Sequence, residues 1–263
     1  MMKYFNCLVN EIKMELTVYF QNKAAVISDF LIYTLLYAFF ILFQTGASLA
    51  DTYSTEKGLS TLLLFVGYII WMLSTSALTS ISSEIMVEVN NGFLFSKMMA
   101  IVPLQFLYLG KVIALLVIHL MNIVPILIIT VLFFDFPTIS AAQLFKILFV
   151  NLMNIVGMYG LGLILSSLTI VNKKLSRISF LISTVLLFTT NALTYNEQVD
   201  KVLKYFPANY CIGYTRSVIA NSTYAPKDIT IFLIICVVLV ICGTFVFSSA
   251  TRKAKKIGNV LWY

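Results

Sequence analysis

Six stretches of this chain run for 19 to 26 residues without one Asp, Glu, Lys or Arg: Phe30–Ala50, Gly58–Ser83, Val112–Phe134, Ile147–Asn172, Ile178–Asn196 and Ile229–Thr251. A helix needs roughly 20 apolar residues to cross about 30 Å of hydrocarbon. In that medium the backbone must satisfy its own hydrogen bonds, which runs this long do as helices; barrel strands would alternate apolar and polar residues over shorter segments. Composition agrees. Of 263 residues, 60% are hydrophobic and 11% charged, where a soluble domain carries about 25% charge. A water-soluble fold is excluded, and an aromatic content of 14% excludes disorder. The expectation is an all-α integral membrane protein, one domain over 1–263 with six transmembrane helices.

An even number of spans puts both termini on one side, and charge says which. Residues 1–29, 84–111, 173–177 and 252–263 hold 12 Lys/Arg and 5 Asp/Glu, against 6 and 6 in the other connections. Lys173, Lys174 and Arg177 share one turn, and Arg252, Lys253, Lys255 and Lys256 follow the last span without an acid. Positive charge collects on the cytoplasmic side, so both termini are expected there. The start shows no long apolar core followed by a small-residue cleavage site, so no removable signal peptide is expected. The Lys- and Asn-containing, Cys-poor composition fits a bacterial plasma membrane. Cys7, Cys211, Cys236 and Cys242 make neither a disulfide framework nor a paired ligand set.

Three connections carry more than a loop needs. Over 1–23, Tyr4, Phe5, Leu8, Ile12, Leu16, Tyr19 and Phe20 recur near a 3.6-residue period, an amphipathic helix lying in the interface or docked on the bundle. The external connection 197–228 is long for a bundle and rich in aromatics. Short helices broken near Pro207, dipping back into the outer leaflet, fit it, and a folded cap is the alternative. Between spans 2 and 3, residues 84–111, Glu84 and Glu88 lie four apart on one helical face. Asn90-Asn91-Gly92 then breaks the helix. Phe93, Leu94, Met98, Met99 and Ile101 make a short amphipathic piece, Pro103 ends it, and Gly110-Lys111 leads into span 3. Such an apolar knob is either a docking element or a loop resting on lipid headgroups.

Several chemistries are missing. No G-x-x-x-x-G-K-[ST] occurs, so a P-loop ATPase must be another polypeptide. Gly157, Gly160 and Gly162 sit in mid-span 4, where close helix packing explains them. The one histidine, His119, cannot build a zinc site alone and reads as a hydrogen-bonded packing residue, with a pore role as the alternative. No protease motif stands out, and the spans hold no paired carboxylates. Empty of charge, they disfavour ion coupling. They do carry hydroxyls and amides on particular faces: Thr75 and Thr79 in span 2, Asn151 and Asn154 in span 4, and Ser183, Thr190, Asn191 and Thr194 in span 5. Such groups hold helices together or line a weakly polar path.

The order of a Glu-bearing exit from span 2, a turn glycine, a short apolar helix, Pro103 and Gly110-Lys111 resembles the permease subunits of the ABC-2 transporter family. In layout the resemblance covers the whole chain; its sequence core is Glu84 to Lys111. The common pattern there is Gly-Thr-Leu-Glu with a proline about nine residues after the glycine. Here Phe93-Leu94-Phe95 follow Gly92, and Pro103 comes eleven residues on. The resemblance implies a non-catalytic subunit, exporting an amphipathic drug, peptide or lipid-linked cargo. It implies two permeases, of this chain or with a relative, and two copies of a separate ATPase that binds the ATP and magnesium. It implies no cofactor or metal on this chain, contact with lipid, and no nucleic acid. In that scheme Glu84, Glu88, Gly92, Phe93, Leu94, Phe95, Met98 and Pro103 form the ATPase-coupling element. Thr75, Thr79, Ser183, Thr190, Asn191 and Thr194 line the cargo path between spans 2 and 5. The alternatives are a six-span binding or immunity-type module without an ATPase, and an ion-coupled carrier.

Overall fold

A computed structural model describes residues 2–43, 49, 53, 57–100, 102–133, 140–171, 176–221 and 226–257. Among the described residues there are ten helices: α1 (Met2–Gln21), α2 (Lys23–Leu42), α3 (Lys57–Asn90), α4 (Phe93–Met98), α5 (Leu104–Phe133), α6 (Ala141–Val171), α7 (Ser176–Thr189), α8 (Glu197–Leu203), α9 (Pro207–Ile219) and α10 (Pro226–Ile257). Five of them, α2, α3, α5, α6 and α10, are long and apolar enough to cross a bilayer. The chain is a multi-pass helical membrane protein. Part of the first expected span, the last residue of the third and of the fourth, and part of the basic 173–177 turn fall outside the described residues.

The burial of these five differs sharply. In α3, 72% of the most apolar window is buried, against 11% in α2 and 17% in α10. The hub is therefore α3, with α6 packed along it and α10 on the far side of α6. Glycine makes that packing possible. A methyl on Gly243 would lie 2.3 Å from the Gly160 carbonyl oxygen, one on Gly160 2.6 Å from the Leu239 and Val240 backbone, and one on Gly162 2.8 Å from Leu78 O. These helices touch backbone to backbone, as small residues allow in lipid. Hydroxyls and amides add cross-links: Asn154 donates to Ser74 at 2.7 Å, and Ser82 and Thr169 share a 2.7 Å bond.

Paired residues fix the direction of each helix. Ser74, Leu78 and Ser82 of α3 meet Asn154, Gly162 and Thr169 of α6 in rising order, so the two are parallel. Gly157 meets Cys236 and Gly160 meets Gly243, so α10 runs the same way. At the end where α3 and α10 finish, Ser248 reaches Gln105 at the start of α5 at 3.4 Å, and α1 crosses α5 beside Gly110. Both described ends of the chain, α1 and the close of α10, therefore lie at one end of the bundle. Amphipathic α1 is docked there with Leu8, Ile12, Leu16 and Tyr19 inward, while Phe5, Val9, Met14 and Val18 stay exposed.

The fifth expected span, Ile178–Asn196, is not one continuous helix. It stops at Thr189, and at about 1.5 Å per residue a helix of 14 residues falls short of the hydrocarbon thickness. Asn191 follows with φ of 53°, a left-handed conformation that asparagine tolerates. Its Oδ1 accepts from the Asn196 N–H. The cause lies further along the chain. Arg216 of α9, with no exposed surface, donates from Nε to Leu63 O (3.0 Å), from Nη1 to Asn191 O (2.6 Å) and from Nη2 to Ala192 O (2.7 Å). At Asn191 and Ala192 it takes up carbonyls that a continuing helix would have bonded to itself. Gly67 leaves the room, since a methyl there would sit 2.3 Å from both Arg216 Nη2 and Ala192 O. Burial lowers the guanidinium to about 10, opposed by Tyr53 beside it, so it keeps its charge at neutral pH.

Between α7 and α10 the chain forms two short helices with their break at 204–206. Asn196 caps α8 by accepting from the N–H groups of Gln198 and Val199, and Pro207 opens α9 at its first turn. This is the pair that the break near Pro207 predicts. α9 is almost wholly buried among α3, α6 and α10, with Tyr210 stacked on Phe232 at 4.5 Å.

Two substitutions test this packing. Gly160→Val should destabilise the fold by about 2 kcal/mol or more, because the opposing group is backbone and cannot move aside. Arg216→Ala strands the carbonyls of Asn191 and Ala192, each costing about 1–3 kcal/mol when unsatisfied, and should exceed Gly160→Val. Reversible unfolding in mixed micelles measures both. An Arg216→Ala protein as stable as the parent would overturn the role given to that side chain.

Candidate functional site

The last two turns of α3 present Glu84 and Glu88 on one face, as their spacing predicts. Each meets a lysine from a different helix. Glu84 pairs with Lys111 of α5. Glu88 Oε1 lies 2.5 Å from Lys97 of α4 and 3.6 Å from Lys111, while its Oε2 accepts from the Tyr108 hydroxyl at 2.6 Å. From α1, Glu15 approaches Lys111 at 3.5 Å and Glu11 approaches Lys97 at 4.0 Å. Four carboxylates thus surround two ammonium groups. No three are placed to hold a metal ion among the described residues.

Burial separates the central pairs from the rim. The side chains of Glu88 and Lys111 are 5% and 8% exposed, whereas Glu84, Glu15 and Lys97 are 20–23% exposed. Buried charges repay their desolvation only when their remaining hydrogen-bonding sites are also filled. Glu88 meets that condition, with a lysine on one oxygen and a phenol on the other. The network fastens α1, α3, α4 and α5 into one joint, so a displacement of α4 must carry α3 and α5 with it.

The hinge of this joint is Gly92, with φ of 73° and open space around it. Here the backbone conformation, not crowding, demands glycine. It ends α3 and caps α4. On α4 the apolar residues divide: Leu94 and Met98, one turn apart, are 2% and 3% exposed and face the bundle, while Phe93 and Phe95 are 62% and 39% exposed. Leu94 and Met98 therefore hold the helix in place and offer no outward surface. Met99, 66% exposed, adds to the outward face instead. Pro103 does not end α4, which closes at Met98; it stands just before α5, where a residue with fixed φ and no N–H suits a helix start.

Three of the hydroxyls expected along a cargo path are occupied locally. Thr75 donates to Trp71 O and Thr79 to Thr75 O within α3, and Thr190, just past the end of α7, donates to Leu186 O. The Ser183 carbonyl accepts from Trp71 Nε1, Asn191 sits in the turn after α7, and Thr194 is exposed. Neither the groove along α1 nor the cleft between α5 and α10 is lined by any of them. His119 packs edge-to-face on Tyr33 at 5.4 Å, but its Nδ1 has no hydrogen-bond partner. Of the expected hydrogen-bonded packing residue, the packing is present and that bond is not.

Sequence reasoning missed Lys97, Tyr108, Glu11 and Glu15. The signal available was charge inside otherwise apolar helical faces: Glu11 and Glu15 lie four apart on α1, beside Leu8 and Ile12. No protein-family model matches the chain, and no curated protein matches it.

A double-mutant cycle of Glu88→Ala and Lys97→Ala should give a coupling energy of about 1 kcal/mol or more, as for residues in one buried network. A cycle of Glu197→Ala and Lys201→Ala, a pair about 70% exposed, should give a clearly smaller value. Equal values in the two cycles would show that the joint has no special strength.

Proposed function

We propose that the chain is the membrane-spanning permease subunit of an ATP-binding cassette transporter of the ABC-2 type, an exporter of an amphipathic cargo driven by a separately encoded ATPase. The observation that carries this reading is the two-sided construction of α4. Its inner side is locked to three other helices by Glu88, Lys97, Leu94 and Met98, while Phe93, Phe95 and Met99 face outward. A lone surface helix of six residues gains nothing for stability from three exposed apolar side chains. A lever that receives a push from a partner needs both sides.

In this reading α4 and the chain ends face the cytoplasm, in keeping with the basic turn at 173–177 and the basic close of α10. The sixth crossing is a broken one. α6 finishes at the α4 end and α10 starts at the other, so α7 and the turn after it make the return, with α9 as a re-entrant helix behind it. Two such permeases and two ATPases form the transporter, with ATP and magnesium held on the ATPases. Closure of the ATPases pushes α4, and the ionic joint passes the motion to α3 and α5. A cargo path between α3 and α7 then opens by separation of those helices, since their hydroxyls are bonded within each helix in the closed packing.

Purification from the native membrane in mild detergent, with mass spectrometry of stoichiometric partners, tests this. A P-loop polypeptide should copurify with the parent and be lost with Phe93→Asp, a surface change that leaves the amount of inserted permease unaltered. A chain that purifies alone, or a Phe93→Asp chain that keeps its partner, would overturn the reading; the first result would favour a binding module.

A further inference from the structure

A cleft of about 310 Å³ opens where α10 ends beside the start of α5. On one wall Ser248, Thr251, Arg252 and Lys255 recur at i, i+3, i+4 and i+7, a single helical stripe. The facing wall is Val102, Pro103 and Leu104. No acidic residue lines it, and among the described residues neither Arg252 nor Lys255 has a carboxylate within ion-pair distance. Every other lysine of this end for which a partner is described, Lys97 and Lys111, is shared among glutamates. Among the described residues Arg252 and Lys255 stand apart from that joint, exposed and open to an anion from outside the chain.

We propose that this cleft binds the phosphate headgroup of an anionic phospholipid from the surrounding bilayer. Three observations select that occupant. The cleft lies at the end of two crossing helices, where headgroups lie. Its size suits a phosphate and its glycerol but not a whole lipid, and it falls at the small end of ligand sites. An apolar track leads out of it: Phe106, Phe245 and Val246, on the same two helices, are 45%, 73% and 38% exposed. A guanidinium presents its paired N–H groups to phosphate oxygens, and the lysine adds a second point of charge. The rim carries the acyl chains outward over Phe106 and Phe245. The proposal does not depend on an ATPase partner.

Native mass spectrometry of the purified chain tests it, comparing phosphatidylglycerol with phosphatidylcholine of the same acyl chains. The parent should retain phosphatidylglycerol in preference. Arg252→Gln with Lys255→Gln should weaken that binding roughly 10- to 30-fold. Lys253→Gln with Lys256→Gln, an equal loss of charge outside the cleft, should change it less than about 3-fold. Inorganic phosphate at millimolar concentration should not displace the lipid. All variants should keep the parent's melting temperature. Equal retention of the two lipids by the parent, equal loss in the two double variants, or tight binding of inorganic phosphate alone would each overturn the proposal. So would a cleft variant that sheds a protein partner while its lipid binding stays unchanged.

Discussion

Inside hydrocarbon every peptide N–H and C=O must find its partner within the protein, and helix ends are where that requirement bites. In this chain one such end lies deep in the bundle, after Thr189, and a single guanidinium resolves it. Arg216 reaches three carbonyls on two other elements. The arrangement ties together the break after α7, the burial of α9 and the glycine at position 67. Remove the guanidinium, and the turn at 190–196 loses the donors that make it tolerable in that setting. An alternative with α7 continuing as a helix would leave the buried Arg216 charge with only Leu63 O of its three carbonyls, which is costlier still.

The opposite end of the bundle uses charge differently. There the pairs are carboxylate with ammonium, and Glu88 has both oxygens engaged. Apolar residues of similar volume would often give more stability than such a network. What the network supplies is geometry: each lysine bridges a short or terminal helix to the end of α3. Charge-assisted bonds fix distance and direction in a way that non-directional apolar contact does not. Against this fixed inner side, Phe93, Phe95 and Met99 face outward; in the proposed transporter a push on them is passed on through the joint.

Between the two ends the bundle is held mainly by close contact. The α3–α6–α10 core brings backbones together through Gly160, Gly162 and Gly243, with few polar links. Helices α2 and α10 present most of their surface outward. Packing concentrates on α3, while α5 is bound at one end by the ionic joint and further along by the Tyr37–Thr130 bond.

Local pattern carried a large part of this. Uncharged runs of membrane length are helices because no other conformation closes their hydrogen bonds, so the class of fold was legible residue by residue. So were the break at Gly92, the face shared by Glu84 and Glu88, the close packing at Gly157, Gly160 and Gly162, and the opening of a helix at Pro207. Each depends on neighbours within a turn or two. What tertiary structure decided were the contacts between residues far apart in the chain. Hydropathy saw residues 178–196 as one unbroken helix because Arg216, which bonds the carbonyls after its end, lies outside the window. Leu94 and Phe93 look alike in sequence, yet one faces the bundle and the other faces away, because only the packing of α4 against its neighbours sets its rotation. The lysines that answer Glu84 and Glu88 come from two other helices, and the glutamates behind them from a third. The sequence by itself determined the elements and their medium, since both follow from local composition. Which charge meets which, and which helix is interrupted, came from the folded arrangement, because electrostatic and hydrogen-bond partners are chosen by distance in space.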